Sequence, residues 1–246
     1  INKDLSQAKI IQNYFINTKY LDSKKGQSDS IKKSYIYKPC IDIGGDFFNV
    51  KELDDNTIAV IIADVSGHGI TAALATGVLK SAFNFLITDL GNDPVKFMFA
   101  LNDHFSTVVA NLFATCYYAV INKEKQTIKM VKAGHHHPLF WKSKDNTFVD
   151  IQCNGIGLGM MKQANFNMVE LEYEKGDKIL FFTDGIIEQM DPDEKMFDEI
   201  NLRNSFKNAI ERQTPQILHA IQKDLHIFAK DMPFEDDVTL VLLEML

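Results

Sequence analysis

One stretch of the sequence, residues 58–73, limits the fold more than any other. It begins with an apolar, largely β-branched run at residues 58–63, which predicts a strand buried on both faces. The run stops at Asp64, two glycines follow within five residues, and residues 72–90 then show helical periodicity with Thr71 as the expected cap. A carboxylate is therefore expected where a buried strand gives way to a glycine-rich turn, on a rigid scaffold but open to a ligand.

Acidic residues mark three other places where a predicted strand begins or ends. Asp46 follows two glycines at the start of a strand, and Asp184 follows the apolar run at residues 178–182. Asp236 and Asp237 precede the apolar closing strand. Each position alone would be read as an ordinary turn or bulge. Four together predict a site, if the fold brings them close to one another.

The chemistry of such a site follows from its ligands. Hard divalent cations prefer carboxylate and carbonyl oxygens, and clustered carboxylates need cations to offset their mutual repulsion. A pair of ions bridged by one carboxylate can lower the pKa of a water, which can then attack a phosphorus atom in line. No Ser/His/Asp or Cys/His pattern is required, and the cysteines have no histidine or basic neighbour to activate them.

Composition excludes several classes of protein. The net charge of −7 and the absence of any Lys/Arg block argue against nucleic-acid binding. Three cysteines without CxxC spacing indicate free thiols in a reducing compartment. We expect no apolar run of membrane-spanning length, and no signal peptide is visible, so we expect a cytoplasmic domain without membrane contact. The first residue is Ile, so we expect a piece of a longer protein, and a membrane-anchored one is compatible with a cytoplasmic domain.

The chain is expected to form a connector and one domain. Residues 1–20 predict an amphipathic helix and residues 22–29 a polar loop, so we assign residues 1–30 to a connector and residues 31–246 to a single domain. Further helices are predicted on both sides of Asp93 and on both sides of Pro215. The phenylalanines of the first pair are expected in the core or in packing between the two helices, and not in a cofactor site: Phe83, Phe85, Phe97, Phe99 and Phe105.

Two other motifs were weighed as ligand sites. His135 and His137 alternate on a predicted strand and could bind a metal such as zinc, but no Cys or acidic partner lies at useful spacing, so a structural role is favoured. The alternating glycines at residues 155–159 lack the lysine of a phosphate loop and the GxGxxG spacing, so they predict a tight loop.

Six motifs in order carry a family resemblance: GGDFF, ADVSGHG followed by ITAAL, AGHHHP, GLGM, FFTDGIIE and DDVT. In this order they resemble the SpoIIE/RsbU-type phosphatases, the bacterial branch of the metal-dependent PPM protein phosphatases. The resemblance covers about residues 35–246. It implies an α+β fold, the PPM-type α/β/β/α sandwich, in which two mostly antiparallel sheets are flanked by helix pairs.

The resemblance also implies a catalytic set that binds two ions, Mn²⁺ or Mg²⁺. Asp64 would bridge the ions, and the backbone carbonyl of Val65 would bind one of them. Asp184 and Asp236 would bind the other ion. Asp46 would act directly or through water.

Other positions are less directly implied. Asp237 is expected as a further metal ligand, although many relatives outside this branch carry Asn there. Gly67 and Gly69 would shape the metal loop. The basic phosphate-binding residue of eukaryotic relatives has no clear counterpart, since Lys38 is a poor substitute, which suggests that the ions alone hold the phosphoryl group.

The expected function is that of a protein serine/threonine phosphatase, the output domain of a larger bacterial signalling protein. Its substrate would be a STAS-type anti-sigma-factor antagonist. The N-terminal helix would connect to an upstream sensor or receiver module and could also join two copies of the chain. An inactive scaffold with the same fold is the alternative from another class, and a metal-dependent phosphodiesterase acting on small molecules is a third.

Overall fold

The computed structural model describes residues 7, 9, 10, 12, 30–41, 43–67, 69–109, 111–230 and 232–246. Within these ranges the strands are β1 (Ile31–Lys38), β2 (Asp46–Glu52), β3 (Thr57–Val65), β4 (Ala114–Asn122), β5 (Thr127–Ala133), β6 (Leu139–Lys142), β7 (Thr147–Val149), β8 (Met168–Glu172), β9 (Lys178–Phe182) and β10 (Val238–Met245). The long helices are α1 (Ile70–Leu90), α2 (Pro94–Val108), α3 (Asp198–Glu211) and α4 (Ile217–Ala229).

The strands form two five-stranded sheets. The front sheet has the order β2-β3-β4-β5-β8, and the back sheet has the order β1-β10-β9-β6-β7. Every pair of neighbouring strands is antiparallel. This arrangement confirms the expected pair of antiparallel sheets.

Strand β3 is buried on both faces, as its apolar run predicts. Ala59 and Ile61 face α1 and α2 in one core cluster, and the small alanine side chain lets a helix approach the sheet closely. Val60 and Ile62 face the back sheet in a second cluster. Because side chains alternate along a strand, one sequence supplies both layers of core.

The back sheet is also covered on both faces. Phe181 and Val241 point into the cluster between the sheets. Phe182 and Leu240 belong to a third cluster, which the back sheet shares with α3 and α4. The layers are therefore helix pair, sheet, sheet and helix pair, which is the predicted α/β/β/α sandwich.

The helix boundaries agree in part with the sequence. Asp93 accepts a hydrogen bond from Lys96 N and Pro94 is the first residue of α2, as expected. The prediction of Thr71 as the cap of α1 is wrong. The helix begins at Ile70 behind Gly69, whose φ of 78° lies in the left-handed region, and no side chain caps it.

Two expectations about apolar residues need correction. Helix α1 is long and apolar enough, by length and composition alone, to cross a membrane, contrary to the expectation that no run reaches that length. It nevertheless packs Leu79 and Phe83 against the front sheet. Of the phenylalanines expected in the core, Phe85 is instead 80% exposed and Phe99 is 39% exposed.

The N-terminal connector is described at only four positions. Gln7, Lys9, Ile10 and Gln12 are helical, which agrees with the predicted helix over residues 1–20. The other residues of that helix and the predicted loop at residues 22–29 lie outside the described residues. The division of the chain after residue 30 stays a prediction.

Candidate metal centre

The predicted acidic positions converge at one end of the sandwich. Asp46 opens β2 and lies opposite Asp64, near the end of β3, in the register of the front sheet. On the back sheet, β9 ends two residues before Asp184 and β10 begins one residue after Asp237. The ends of four strands, two from each sheet, thus supply the carboxylates.

Asp46 ties the two sheets together. Its buried carboxylate accepts hydrogen bonds at Oδ2 from the hydroxyls of Thr183 (2.7 Å) and Thr239 (2.5 Å), which belong to the back-sheet side. Burial raises the pKa of Asp46 well above its usual range, and the charges of Asp64 and Asp237 raise it further, against the effect of the two hydroxyls. Neither threonine was predicted from the sequence.

Asp64 has four carboxylates close enough to raise its pKa: Asp184, Asp236, Asp237 and Glu188. Burial raises its pKa to about 8, and the neighbouring carboxylates add to the shift. These neighbours include Glu188, which sequence reasoning missed although it lies in the FFTDGIIE motif. A divalent cation is the group that would relieve this repulsion.

Asp184 lies beside Glu188 at the start of a short 3₁₀ turn, Asp184–Ile186. Burial and Glu188 raise the pKa of Asp184, whereas His136 lowers it. The His136 ring stacks on Phe182 with centroids 5.9 Å apart. A histidine therefore stands on one side of the carboxylate cluster.

Asp237 shapes the backbone around the centre. Its Oδ2 accepts hydrogen bonds from the backbone N–H of Gly45 (2.6 Å) and Asp46 (3.4 Å), and its Oδ1 accepts one from Cys40 N (2.9 Å). A Cβ at Gly44 would lie 2.1 Å from Oδ2, so a larger residue there would displace the Asp237 carboxylate from these hydrogen bonds. Both carboxylate oxygens are thus engaged by the protein, and the role of Asp237 as a metal ligand stays a prediction.

Asp236 lies half-buried beside a thiol. Its Oδ1 accepts a hydrogen bond from Asp237 N (2.7 Å). The ligand atoms of Asp236, Asp237 and Cys40 lie within 4.8 Å of one another. Burial, and then the two carboxylates, raise the pKa of Cys40, so the thiol stays protonated and unreactive, as expected from the sequence.

The loop after β3 is held open by glycine. A Cβ at Gly45 would lie 2.9 Å from the carbonyl oxygen of Val65, so a side chain at that position would crowd this buried oxygen. Gly67 and Gly69 have φ values of 86° and 78°, which confirms the unusual backbone angles predicted for this turn. Ser66 fixes the loop through Phe113, since Ser66 N donates to Phe113 O and Phe113 N donates to Ser66 Oγ.

Within the histidine motif, His135 connects strands β4 and β9 through hydrogen bonds. Its Nε2 donates to Phe182 O (3.0 Å), and its Nδ1 accepts from Thr115 Oγ1 (2.7 Å). Burial lowers its pKa to about 3, so the ring is neutral. With both nitrogens hydrogen-bonded within the protein, the geometry favours the structural role predicted for His135 over a zinc site shared with His137.

The donor set fits hard divalent cations. The predicted ligands are carboxylate oxygens and the backbone carbonyl of Val65, and oxygen ligands of these kinds are the ones that Mg²⁺ and Mn²⁺ prefer. Burial, and then the neighbouring carboxylates, raise the pKa values of Asp46, Asp64 and Asp184, and a bound cation would offset both effects.

One residue of the N-terminal helix reaches this loop region. The buried side-chain amide of Gln12 donates to Gly44 O (2.6 Å) and accepts from Gly44 N (3.0 Å). The same amide lies 3.4 Å from the hydroxyl of Thr76 on α1. Gln12 therefore joins the connector, helix α1 and the glycine pair before Asp46.

Comparison with known proteins gives the family context. The family model described as Stage II sporulation protein E (SpoIIE) matches residues 54–246. The phosphoserine phosphatase RsbU of Bacillus subtilis (strain 168) is 30% identical over 227 residues, which are 91% of this chain and 66% of RsbU. The phosphoserine phosphatase RsbP of the same organism is 31% identical over 170 residues, which are 67% of this chain and 41% of RsbP. The chain thus spans less than two thirds of these relatives.

Solved structures share the fold. The SiaA-PP2C domain of Pseudomonas aeruginosa superposes with a TM-score of 0.87 at 17% identity, over 99% of this chain and 96% of that domain. The catalytic domain of the serine threonine protein phosphatase PstP, solved in complex with 2 manganese ions, superposes with a TM-score of 0.60 at 13% identity, over 87% of this chain and 97% of that domain.

Proposed function

This chain belongs to the SpoIIE family and has the PPM phosphatase fold, and from that premise we propose that it is a metal-dependent protein serine/threonine phosphatase. It would hydrolyse phosphoserine or phosphothreonine on a regulatory protein. The observation that carries this proposal is the convergence of Asp46, Asp64, Asp184 and Asp236 around the end of the sandwich.

The proposed metal site consists of residues that offer oxygen ligands. Asp64 and the Val65 carbonyl would hold one Mn²⁺ or Mg²⁺ ion, and Asp64, Asp184 and Asp236 would hold a second. Asp46 and Asp237 would complete the site, directly or through water. Two such ions, when bound, supply a water of lowered pKa and offset the charge on phosphoryl oxygens. The manganese complex of PstP, a protein of the same fold, supports this assignment.

The chain's own residues hold this arrangement in place. The hydroxyls of Thr183 and Thr239 fix the Asp46 carboxylate, so its free oxygen points in one direction. Asp237 fixes the backbone of Gly45 and Cys40. Preorganised groups of this kind need no reorganisation when charge develops during the reaction.

Anchoring of the phosphoryl group would rest on the ions. The ammonium of Lys38 lies 3.8 Å from the centre of the Phe234 ring, where it makes a cation–π contact. Burial lowers the pKa of Lys38. This engagement agrees with the sequence-based view that Lys38 is a poor phosphate ligand.

The finer assignments extend the same proposal. The substrate would be a STAS-type anti-sigma-factor antagonist, as suggested by the likeness to the phosphoserine phosphatases RsbU and RsbP. The domain would act in the cytoplasm as the output of a longer protein, with residues 1–30 as a connector to a sensor or receiver module. The N-terminal helix could also join two copies of the chain.

A direct assay separates this enzyme from an inactive scaffold. We expect the chain to hydrolyse p-nitrophenyl phosphate and a phosphoserine peptide with Mn²⁺ or Mg²⁺ and to lose both activities in excess chelator. Turnover of a bis-ester in place of these monoesters would indicate a phosphodiesterase instead. Absence of hydrolysis at every metal concentration, in a protein that melts cooperatively, would favour the scaffold.

A further inference from the structure

A polar cleft lies beside the metal centre on the side of His136. It encloses about 300 Å³ between the β5–β6 connection, the segment after β7 and the start of α3. The residues that carry its charge or hydrogen-bonding capacity are Lys132, His136, His137, Asp150, Glu199 and Arg203. None of them belongs to the proposed metal ligands.

Lys132 brings a cation without a carboxylate partner. Its ammonium lies 3.3 Å from His137 Nε2, and no ion pair within 4.0 Å joins it to a carboxylate of the described residues. A lysine ammonium can only donate, so His137 Nε2 accepts and the ring proton is on Nδ1. Burial, and then Lys132, lower the pKa of His137, which keeps this ring neutral.

His137 adds a donor that the protein does not satisfy. Its Nδ1 is buried and has no hydrogen-bond partner among the described residues. An unpaired buried donor is costly, and native proteins usually pair such groups with protein, water or ligand. Among the described residues, therefore, the Nδ1–H of His137 has no acceptor.

Arg203 supplies a second cation at the other wall. One of its terminal nitrogens donates to Glu199 Oε1 (3.0 Å), and its guanidinium lies 4.8 Å from the centre of the Phe148 ring. The ring contact orients the guanidinium and leaves further N–H donors for a ligand. Of the two carboxylates in the cleft, Glu199 is taken up by Arg203, and Asp150 accepts a hydrogen bond from Gln152.

The cleft adjoins the metal centre through His136. This residue lines the cleft, stacks on Phe182 and lies close enough to Asp184 to lower the pKa of that carboxyl. A peptide whose phosphorylated residue reaches the metal centre can therefore place a neighbouring side chain in the cleft. The metal centre itself is lined by carboxylates. In the cleft the formal charges balance, two cations against Asp150 and Glu199, so a carboxylate would be attracted there by the Lys132 ammonium, which no carboxylate of the described residues pairs.

We propose that this cleft is a specificity subsite that binds an acidic side chain, Asp or Glu, of the phosphoprotein segment adjoining the phosphorylated residue. Lys132 and Arg203 pair with the incoming carboxylate, and His137 lies behind Lys132 as its acceptor. The inference rests on the proposed phosphatase function, because that function defines the segment which enters the cleft.

The test is an NMR titration of the whole chain with short serine peptides in Mg²⁺, following the histidine ring protons. The peptides are not substrates for hydrolysis, so no turnover disturbs the measurement. One series carries Glu at each position near the serine in turn, and the matched series carries Gln. We expect at least one Glu peptide to bind about tenfold more tightly than its Gln counterpart, as one charge-assisted contact provides.

Matched variants show which residues cause the tighter binding of Glu peptides over Gln peptides. Lys132→Gln and Arg203→Gln should each remove most of this difference in affinity. Two control variants remove the same charge outside the cleft: Lys129→Gln on the same strand and Lys207→Gln one turn further along α3. Both should leave the difference in affinity unchanged. Equal binding of all Glu and Gln peptides, or a preference that survives both Lys132→Gln and Arg203→Gln, would overturn the inference.

Hydrolysis of p-nitrophenyl phosphate by the wild-type chain is measured in parallel. If the chain hydrolyses this ester but binds Glu and Gln peptides equally, the subsite is contradicted and the phosphatase proposal stands. A chain that prefers the Glu peptides through Lys132 and Arg203 but never hydrolyses the ester supports the subsite and contradicts the phosphatase proposal.

Discussion

At the scale of single residues, Asp64 is the side chain whose charge matters most. It faces Asp184, Asp236 and Asp237 across the gap between the sheets, and its pKa is raised to about 8. A carboxylate in this position gains more from a cation than any exposed acid does. Its position at the centre of the cluster also suits it to serve two ions at once.

We therefore expect Asp64→Asn to lower the phosphatase rate by at least ~100-fold, in line with losing charge stabilisation at one position. Asp184→Asn and Asp236→Asn should cause similar losses that high Mn²⁺ partly restores. Rates measured against Mn²⁺ concentration check this. Asp54→Asn is the control, because Asp54 is an exposed turn residue that only caps Asn56 N. Near-normal turnover of Asp64→Asn would contradict the site.

Asp237 should behave differently from its neighbours. It accepts three backbone N–H groups, and an Asn amide can satisfy them on one side only. We expect Asp237→Asn to lower the free energy of unfolding by ~1–3 kcal/mol in saturating Mg²⁺, with a smaller loss of rate than Asp184→Asn. Urea unfolding measures the first effect, and Asp55→Asn, at an exposed turn, is the control. Unchanged stability would show that these hydrogen bonds do not hold the loop.

At the scale of elements, the sequence predicts what depends on local pattern. Residues 58–63 read as a buried strand because both of its faces meet apolar layers. The start of α1 was misjudged at Thr71, because the preference of helices for a hydroxyl cap gave way to the backbone geometry of Gly69. The prediction took the phenylalanines as a set, although residues 83 and 85 lie on nearly opposite sides of a helix and cannot both face one core.

Of the residues that form the site, only the aspartates could be predicted from the sequence. Asp46 and Asp184 follow glycines or strands and so are visible in the sequence. Thr183 and Thr239 look like ordinary strand residues, and their role depends on pairing over long separations: Thr239 is 193 residues from Asp46. The only local signal is a hydroxyl at a position where the alternation of the strand calls for an inward apolar side chain.

Gln12 provides a test of how the connector acts on the site. Gln12→Ala removes two hydrogen bonds to Gly44 and should loosen the loop that leads to Asp46. We expect about a tenfold rise in the Mn²⁺ concentration needed for half-maximal activity, since a net loss of about 1.4 kcal/mol equals a factor of ten. Gln7→Ala is the control, because Gln7 is exposed on the same helix. An unchanged Mn²⁺ requirement would show that the connector does not act through Gln12.

At the scale of the whole molecule, the buried acids make stability depend on pH. Asp46, Asp64 and Asp184 have raised pKa values in the folded chain, whereas in the unfolded chain an Asp titrates near ~3.9. Between that value and about 8, the folded chain binds more protons than the unfolded chain. The stability contributed by these groups is therefore complete at low pH and is lost as pH rises through the folded pKa values.

We expect the melting temperature of the metal-free chain to fall as pH rises from about 5 to about 8. Saturating Mg²⁺ should remove most of this slope, since the cations replace the protons. Asp64→Asn should reduce the slope in chelator. Thermal melting across this pH range measures all three, and a metal-free chain that becomes more stable toward pH 8 would contradict the assignment of buried, mutually repelling carboxylates.

The hydrogen bonds from Thr183 and Thr239 to Asp46 have a further consequence for the order of folding. They connect residues 137 and 193 positions apart, so the cation site exists only once the two sheets have docked. Loop closure over such distances is slow and comes late. Cations should therefore slow unfolding in stopped-flow experiments while leaving the refolding rate unchanged, as for contacts absent from the transition state. The cations would bind only after the two sheets have docked, and so would stabilise the folded chain without taking part in nucleation.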